Sequence, residues 1–220
     1  MEARQYASQV GIRIEQAGDR ITVEAKYPKA WRSSREQPHV LVHFEIVAPQ
    51  ASDITAKAEN GPLHIEGIKG RLELSTSDAE LVARGCSGLI KARTTEGSLT
   101  VLDFQGEVEA STLDGAVKVS GMLEALESQS TNGRVEIRVL TGSVMKADWA
   151  IHAGNGNVHL YLPDSLAADI DVTTGEGMIV TDHSMEIDGS LSNRRLTGRM
   201  NGGGKLLRIH TSDGDIHILR

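Results

Sequence analysis

The sequence predicts an all-β fold: a single-stranded, right-handed parallel β-solenoid of 18-residue coils, capped by irregular N- and C-terminal segments. Three observations predict it. Turn pairs recur at a spacing of 18: Asn60-Gly61, Asp78-Ala79, Glu96-Gly97, Asp114-Gly115 and Asn132-Gly133. Four columns at the same period are almost entirely apolar. Aromatic residues make up only 3% of the chain against 39% hydrophobic residues, so any core must be aliphatic and finely divided. One domain is expected over residues 1–220, with N-terminal strands and a cap over 1–49, regular coils over 50–147 and coils with insertions over 148–220.

The N-terminal part holds two strand-like stretches, Gly11–Ala25, turning at Gly18-Asp19, and His39–Val47. Between them, Pro28–Pro38 is a polar loop carrying Trp31. Terminal units of a repeat fold must close its core, so this region is expected to cap the coils.

The regular part is defined by its columns. The first is Leu63, Leu81, Leu99, Val117 and Val135, and the second is Ile65, Ala83, Val101, Val119 and Ile137. A third reads Ile68, Cys86, Phe104, Met122 and Leu140, and a fourth Ile54, Leu72, Ile90, Val108, Leu126 and Val144. Gly70, Gly88, Gly106 and Gly142 share a further column, with Glu124 the exception. Each coil is therefore two glycine-led strands with alternating inward and outward residues. One such coil cannot bury its apolar face alone, but stacked coils pair in parallel about 4.8 Å apart and share a core. Thr76, Thr94, Thr112 and Ser130 form a hydroxyl ladder before the turns. The crossover rule predicts a right-handed path.

Beyond residue 147 the template returns in three pieces: Trp149, Ile151, Asn155-Gly156, Val158 and Leu160; Ile170, Val172, Thr174 and Glu176-Gly177; and Leu207, Ile209, Thr211, Asp213-Gly214, Ile216 and Ile218. Residues 161–169 and 181–204 read as excursions, the second as a mobile loop.

Charge narrows the function classes. Lys and Arg total 23 and Asp and Glu 30, a net −7, and no segment is basic. An electrostatic grip on nucleic acid or on an anionic membrane surface is disfavoured. A single cysteine, Cys86, excludes an intrachain disulfide. No segment has the apolar length of a membrane span, and the opening Met1–Gln5 has no signal-peptide core.

Candidate sites are few. Asp78, Glu96 and Asp114 stack at the turns between Asn60 and Asn132, but the glycine spacing departs from the calcium-binding nonapeptide pattern, so solvated turn residues are expected. His64, His159 and His217 share one outward column, and His152 and His210 another. If coils stack in chain order, the coil carrying Thr173 and Val180 separates the histidine coils by two rungs, about 9.6 Å. No metal site is therefore expected, since a zinc ion holds its nitrogen ligands at about 2 Å. Cys86 falls in an inward column, as a small hydrophobe. Trp31, with Arg32 and Arg35 beside it, has the composition of a sugar- or partner-binding loop or of a plug for the coil stack. Arg194, Arg195 and Arg199 in the late excursion are expected to be solvated. A polysaccharide lyase or hydrolase needs carboxylates, or a base and an arginine, clustered on adjacent coils. The outward row Glu73, Lys91, Glu109, Glu127 and Met145 makes no such cluster, so neither an enzyme nor a cofactor is expected.

The run Asp53-Ile54-Thr55-Ala56, Glu59-Asn60-Gly61 and Leu63-His64-Ile65-Glu66-Gly67-Ile68-Lys69-Gly70 resembles the core repeat of a bacterial adhesin-type domain family, a β-solenoid of largely unknown function. Gly18-Asp19-Arg20-Ile21-Thr22-Val23 with Tyr27-Pro28, and Ser212-Asp213-Gly214-Asp215-Ile216, are similar to that family's beginning and end. The resemblance covers about residues 10–220 and brings over no catalytic residue. It implies an exported or envelope-associated module in bacteria, a monomer or weak oligomer that binds a cell-surface glycan or protein or acts as a spacer. A self-associating scaffold is the alternative.

Overall fold

A computed structural model describes residues 6–28, 31 and 40–220. The chain forms two compact units, Met1–Val47 and Ala48–Arg220.

In the first unit, β1 (Gly11–Ala17) and β2 (Arg20–Lys26) pair antiparallel from Gly11↔Lys26 to Ala17↔Arg20. Gly18 turns the hairpin with φ +60°, which a glycine adopts without steric cost. The second expected stretch differs: residues 40–47 form no strand. Their alternation has no ladder to join, and Leu41, Ile46 and Val47 are exposed.

The second unit carries sixteen strands in one sheet. They are β3 (Ile54–Lys57), β4 (Leu63–Glu66), β5 (Lys69–Ser75), β6 (Leu81–Arg84), β7 (Ser87–Thr94), β8 (Leu99–Thr112), β9 (Val117–Ser130) and β10 (Val135–Val139). After them come β11 (Trp149–Asn155), β12 (Val158–Tyr161), β13 (Ala168–Glu176), β14 (Ile179–Thr181), β15 (Glu186–Ser192), β16 (Arg195–Met200), β17 (Leu206–Asp213) and β18 (Ile216–Leu219). Two parallel ladders run through them. One pairs β3, β5, β7 and the second halves of β8 and β9. The other pairs β4, β6, the first halves of β8 and β9, and β10. The registers Ile54↔Leu72, Leu72↔Ile90 and Ile90↔Val108 are 18 residues apart. Inward residues of both ladders, such as Leu81, Leu99, Val117, Leu72 and Ile90, are fully buried. Each such aliphatic side chain contributes about 1.5–3 kcal/mol.

Two columns are read differently by the structure. Between β8 and β9 the register slips, with Phe104 opposite Gly121, and returns to 18 at Glu107↔Ala125. The slip turns Met122 outward and puts Leu123 in the core. Leu140 also leaves the core, and Val139 is buried instead. Five residues more than a coil then separate Leu126 from the residue that continues its column. Ala150 pairs with Glu127, so Trp149 takes that place, 1% exposed, while Val144 is 64% exposed.

The last coils are not stacked in chain order. Strand order runs β9-β11-β17-β13-β16-β15 on one side and β10-β12-β18-β14 on the other. The final coil, β17–β18, therefore inserts between the coil of β11–β12 and that of β13–β14. The route is made possible by the excursion over 181–204, which is no loop. Its strands β15 and β16 form an antiparallel hairpin, and β16 lies antiparallel on β13 from Ala168↔Met200 to Thr173↔Arg195. Leu196 and Met200 alternate into the core, and the hairpin covers what would be an open parallel edge. The fold is all-β, as expected, but the sheet is mixed, so parallel 18-residue coiling does not describe the whole chain.

Candidate functional site

The buried hydroxyls serve the fold. Thr76, Thr94, Thr112 and Ser130 are buried and donate to carbonyls of the turns one coil away: Gly61 (3.2 Å), Ala79 (3.4 Å), Gly97 (3.3 Å) and Gly115 (3.0 Å). Thr211 and Thr174 continue the pattern to Gly156 (3.0 Å) and Gly214 (2.9 Å). Each bond satisfies a turn carbonyl that the sheet ladder leaves over.

At the turns, the Asp114 carboxylate is met by an amide. Asn132 Nδ2 donates to Asp114 Oδ1, and Asn155 Nδ2 donates to Asn132 Oδ1 at 2.9 Å. Cys86 is buried, with its Sγ 3.3 Å from the Arg84 carbonyl.

On the outward face, charges pair along the rungs. Glu109 lies between Lys91 and Arg93, whose hydrogen bonds hold its carboxyl below the ordinary value, Lys91 most strongly. Glu136 lies between Lys118 (3.4 Å) and Arg134 (3.5 Å). The outward row reads Glu73, Lys91, Glu109, Glu127, then Ala150 where Met145 was expected. Glu109 is thus committed to two cations and does not form a free carboxylate pair with Glu127. In the late excursion, Arg199 pairs with Asp188, and Arg195 lies 3.9 Å from Asp171.

Trp31 is half-buried in the first unit, edge-on to Tyr6 (ring centroids 6.0 Å, 77°) and tilted against Tyr27 (6.2 Å, 50°). Its amide donates to the Pro28 carbonyl at 3.0 Å, and Tyr6 and Tyr27 are 40% and 45% exposed. The sequence picks out Trp31 but not its two tyrosines, which precede β1 and follow β2 at the open end of the hairpin. Arg32 and Arg35 lie outside the described residues.

The histidines are where the structure departs most from expectation. Because β17 lies directly beside β11, and β18 beside β12, His152 stands opposite His210 and His159 opposite His217. The rings stack, with centroids 5.2 Å apart in the first pair and 4.8 Å in the second, both at 15°. The two-rung gap does not exist. His64 shares the outward column of His159 and His217 but lies five strands away from His159, on β4.

Burial, and next the neighbouring His210, pushes the pKa of His152 below its ordinary 6.5. Burial pushes His159 down as well, followed by Arg134 and His217, against the opposing pull of Glu136 and Asp215. A depressed histidine pKa means that the unfolded chain binds protons first. The stability these rings contribute is full above about pH 7 and falls as pH drops through the ordinary histidine range towards the folded value. The urea midpoint is expected to fall between about pH 7.5 and 5.5, a window in which exposed carboxylates stay ionised. His152→Gln and His159→Gln together are expected to flatten that fall; an unchanged slope in the double variant would show that other groups cause it.

The model of the Toastrack DUF4097 family matches residues 15–219. No curated protein and no solved structure matches the chain. The family match spans nearly the whole chain, including both 18-residue ladders and the inserted last coil, and the chain belongs to the Toastrack DUF4097 family.

Proposed function

We propose that this chain is a non-enzymatic parallel β-solenoid module of the bacterial cell envelope, which holds a surface glycan or protein in an adhesin-like way or acts as a spacer. The observation that carries the reading is the aromatic cluster of Trp31, Tyr6 and Tyr27. Three rings in one place, two of them exposed, give a stacking surface for the apolar face of a sugar or a partner side chain. The paired charges of the outward rows support a passive face, because carboxylates held by lysine and arginine are poor general acids and bases.

The test is binding of the whole chain to a glycan array and to bacterial envelope fractions, beside Trp31→Ala and Trp31→Phe. Saturable binding that weakens about 30-fold in Trp31→Ala, as for a binding hot spot, and is largely kept in Trp31→Phe is the expected result. Binding unaffected by Trp31→Ala would move the site to the sheet face, and no binding to any target would leave only the spacer role. A self-associating scaffold is favoured by one observation: among the described residues, β3 and β4 each hydrogen-bond to a single neighbouring strand, β5 and β6. Such edges can accept a further strand from a second copy. A sedimentation coefficient that rises with concentration would support this reading.

A further inference from the structure

Insertion of the last coil creates a pair of imidazoles on neighbouring parallel strands. The outward row across these strands reads Gln129 on β9, His152 on β11, His210 on β17, Thr173 on β13 and Arg195 on β16. We propose that His152 and His210 form a two-imidazole site for a first-row transition-metal dication of the nickel, copper and zinc class, and that the bound ion clips the inserted last coil to β11.

Four observations carry this. The rings lie 5.2 Å apart and nearly parallel, and their strands are hydrogen-bonded neighbours. An ion that holds each nitrogen at about 2.0–2.1 Å requires both rings to turn out of the stack until their nitrogens converge on it, with water completing its coordination. His210 is already oriented, since its Nδ1 lies 2.9 Å from Thr173 Oγ1. When Nδ1–H donates to that hydroxyl, the Nε2 lone pair is left free, the second-shell arrangement typical of metal-binding histidines. His152 is exposed on the outward face, open to an ion from solvent. The charges around the row are also compatible with a cation. On the adjoining row, Glu127 and Asp171 flank Ala150 and Arg208, and Asp171 faces both Arg208 (3.7 Å) and Arg195 (3.9 Å).

The second stacked pair provides the contrast. His159 and His217 are as close, but the His159 Nδ1 is buried with no hydrogen-bond partner among the described residues to fix its tautomer. An imidazole-seeking ion therefore selects His152 and His210, while a hard ion such as magnesium prefers oxygen ligands and binds neither pair.

The experiment titrates the whole chelator-stripped chain with nickel and with zinc at about pH 7.5, by calorimetry and by urea unfolding, with magnesium as control. One ion per chain is expected, with a urea midpoint that rises with nickel or zinc concentration and not with magnesium. His152→Gln and His210→Gln, both on the outward face, are each expected to weaken binding at least roughly tenfold, while His217→Gln leaves it unchanged. Proton signals of the His152 and His210 rings should shift or broaden first as nickel is added. No binding at millimolar nickel, equal binding in His152→Gln, or loss of binding in His217→Gln instead would each overturn the proposal.

Discussion

An alanine at Gly106 is expected to cost the fold about 3–5 kcal/mol, a large part of the stability of a single domain. Two effects add there. Gly106 has φ +129°, a conformation that side chains rarely adopt, and a Cβ on it would lie 2.2 Å from the Gly88 carbonyl oxygen. Gly88 in turn has φ +112°, and a Cβ on it would lie 2.4 Å from the Gly70 carbonyl oxygen. The obstacle is ladder backbone, Gly106 opposite Gly88 within the β7–β8 pairing, so no flexible side chain can move aside. Gly67 separates the two effects. It too has positive φ, +69°, but nothing stands within 4 Å of its Cβ position. Gly67→Ala is expected to cost only the conformational strain of a left-handed residue, about 1–2 kcal/mol. Urea unfolding of both variants measures the difference; losses within about 1 kcal/mol of each other would mean that the ladder has more give than its backbone contacts imply.

The same glycines show what a sequence of this kind discloses. A column of like residues at a fixed period is legible because stacked coils give each column one environment. The inward residues of β3 to β8, the hydroxyl ladder and the strands that contain Gly70, Gly88 and Gly106 could be read from spacing alone, whereas Gly142 leads no strand. Three things could not. The slip at Phe104↔Gly121 exchanges Met122 for Leu123, and both are apolar, so the pattern does not distinguish them. Val144 fits the period, but the longer path to Trp149 overrides it. The order of the last three coils is invisible for a related reason. The strands β11, β17 and β13 carry the same inward alternation, Trp149 and Ile151, Leu207 and Ile209, Ile170 and Val172, so each could stack beside either of the others. The hairpin of β15 and β16 occupies one edge of β13 and leaves the other for β17. The histidine pairs depend on that order, so they were out of reach of the sequence, whereas Trp31 stood out by composition.

Truncation of Trp149 to alanine is expected to cost about 3–5 kcal/mol, as for a large aromatic removed from a close-packed core. Trp149 heads the fully buried side chains by volume, and its indole Nε1 donates to the Glu124 carbonyl at 3.3 Å. Alanine would leave a cavity and remove the second donor to the Glu124 carbonyl, which still accepts from the Lys146 amide at 2.8 Å. Trp149→Phe, which keeps most of the volume and loses the donor, is expected to recover at least half of the loss. The location of the damage is as informative as its size. Trp149 opens β11, opposite Leu207 of the inserted coil, at the place where the regular ladder hands over to the last three coils. In a stack where each coil touches only its neighbours, a defect there should weaken the adjoining rungs more than distant ones. Amide hydrogen exchange in Trp149→Ala is therefore expected to rise in β11, β17 and β13, while β5 and β7 keep their protection. A uniform rise would mean that the second unit unfolds as one cooperative body. In that case an ion clipping β17 to β11 would stabilise the whole ladder and not merely its last coils.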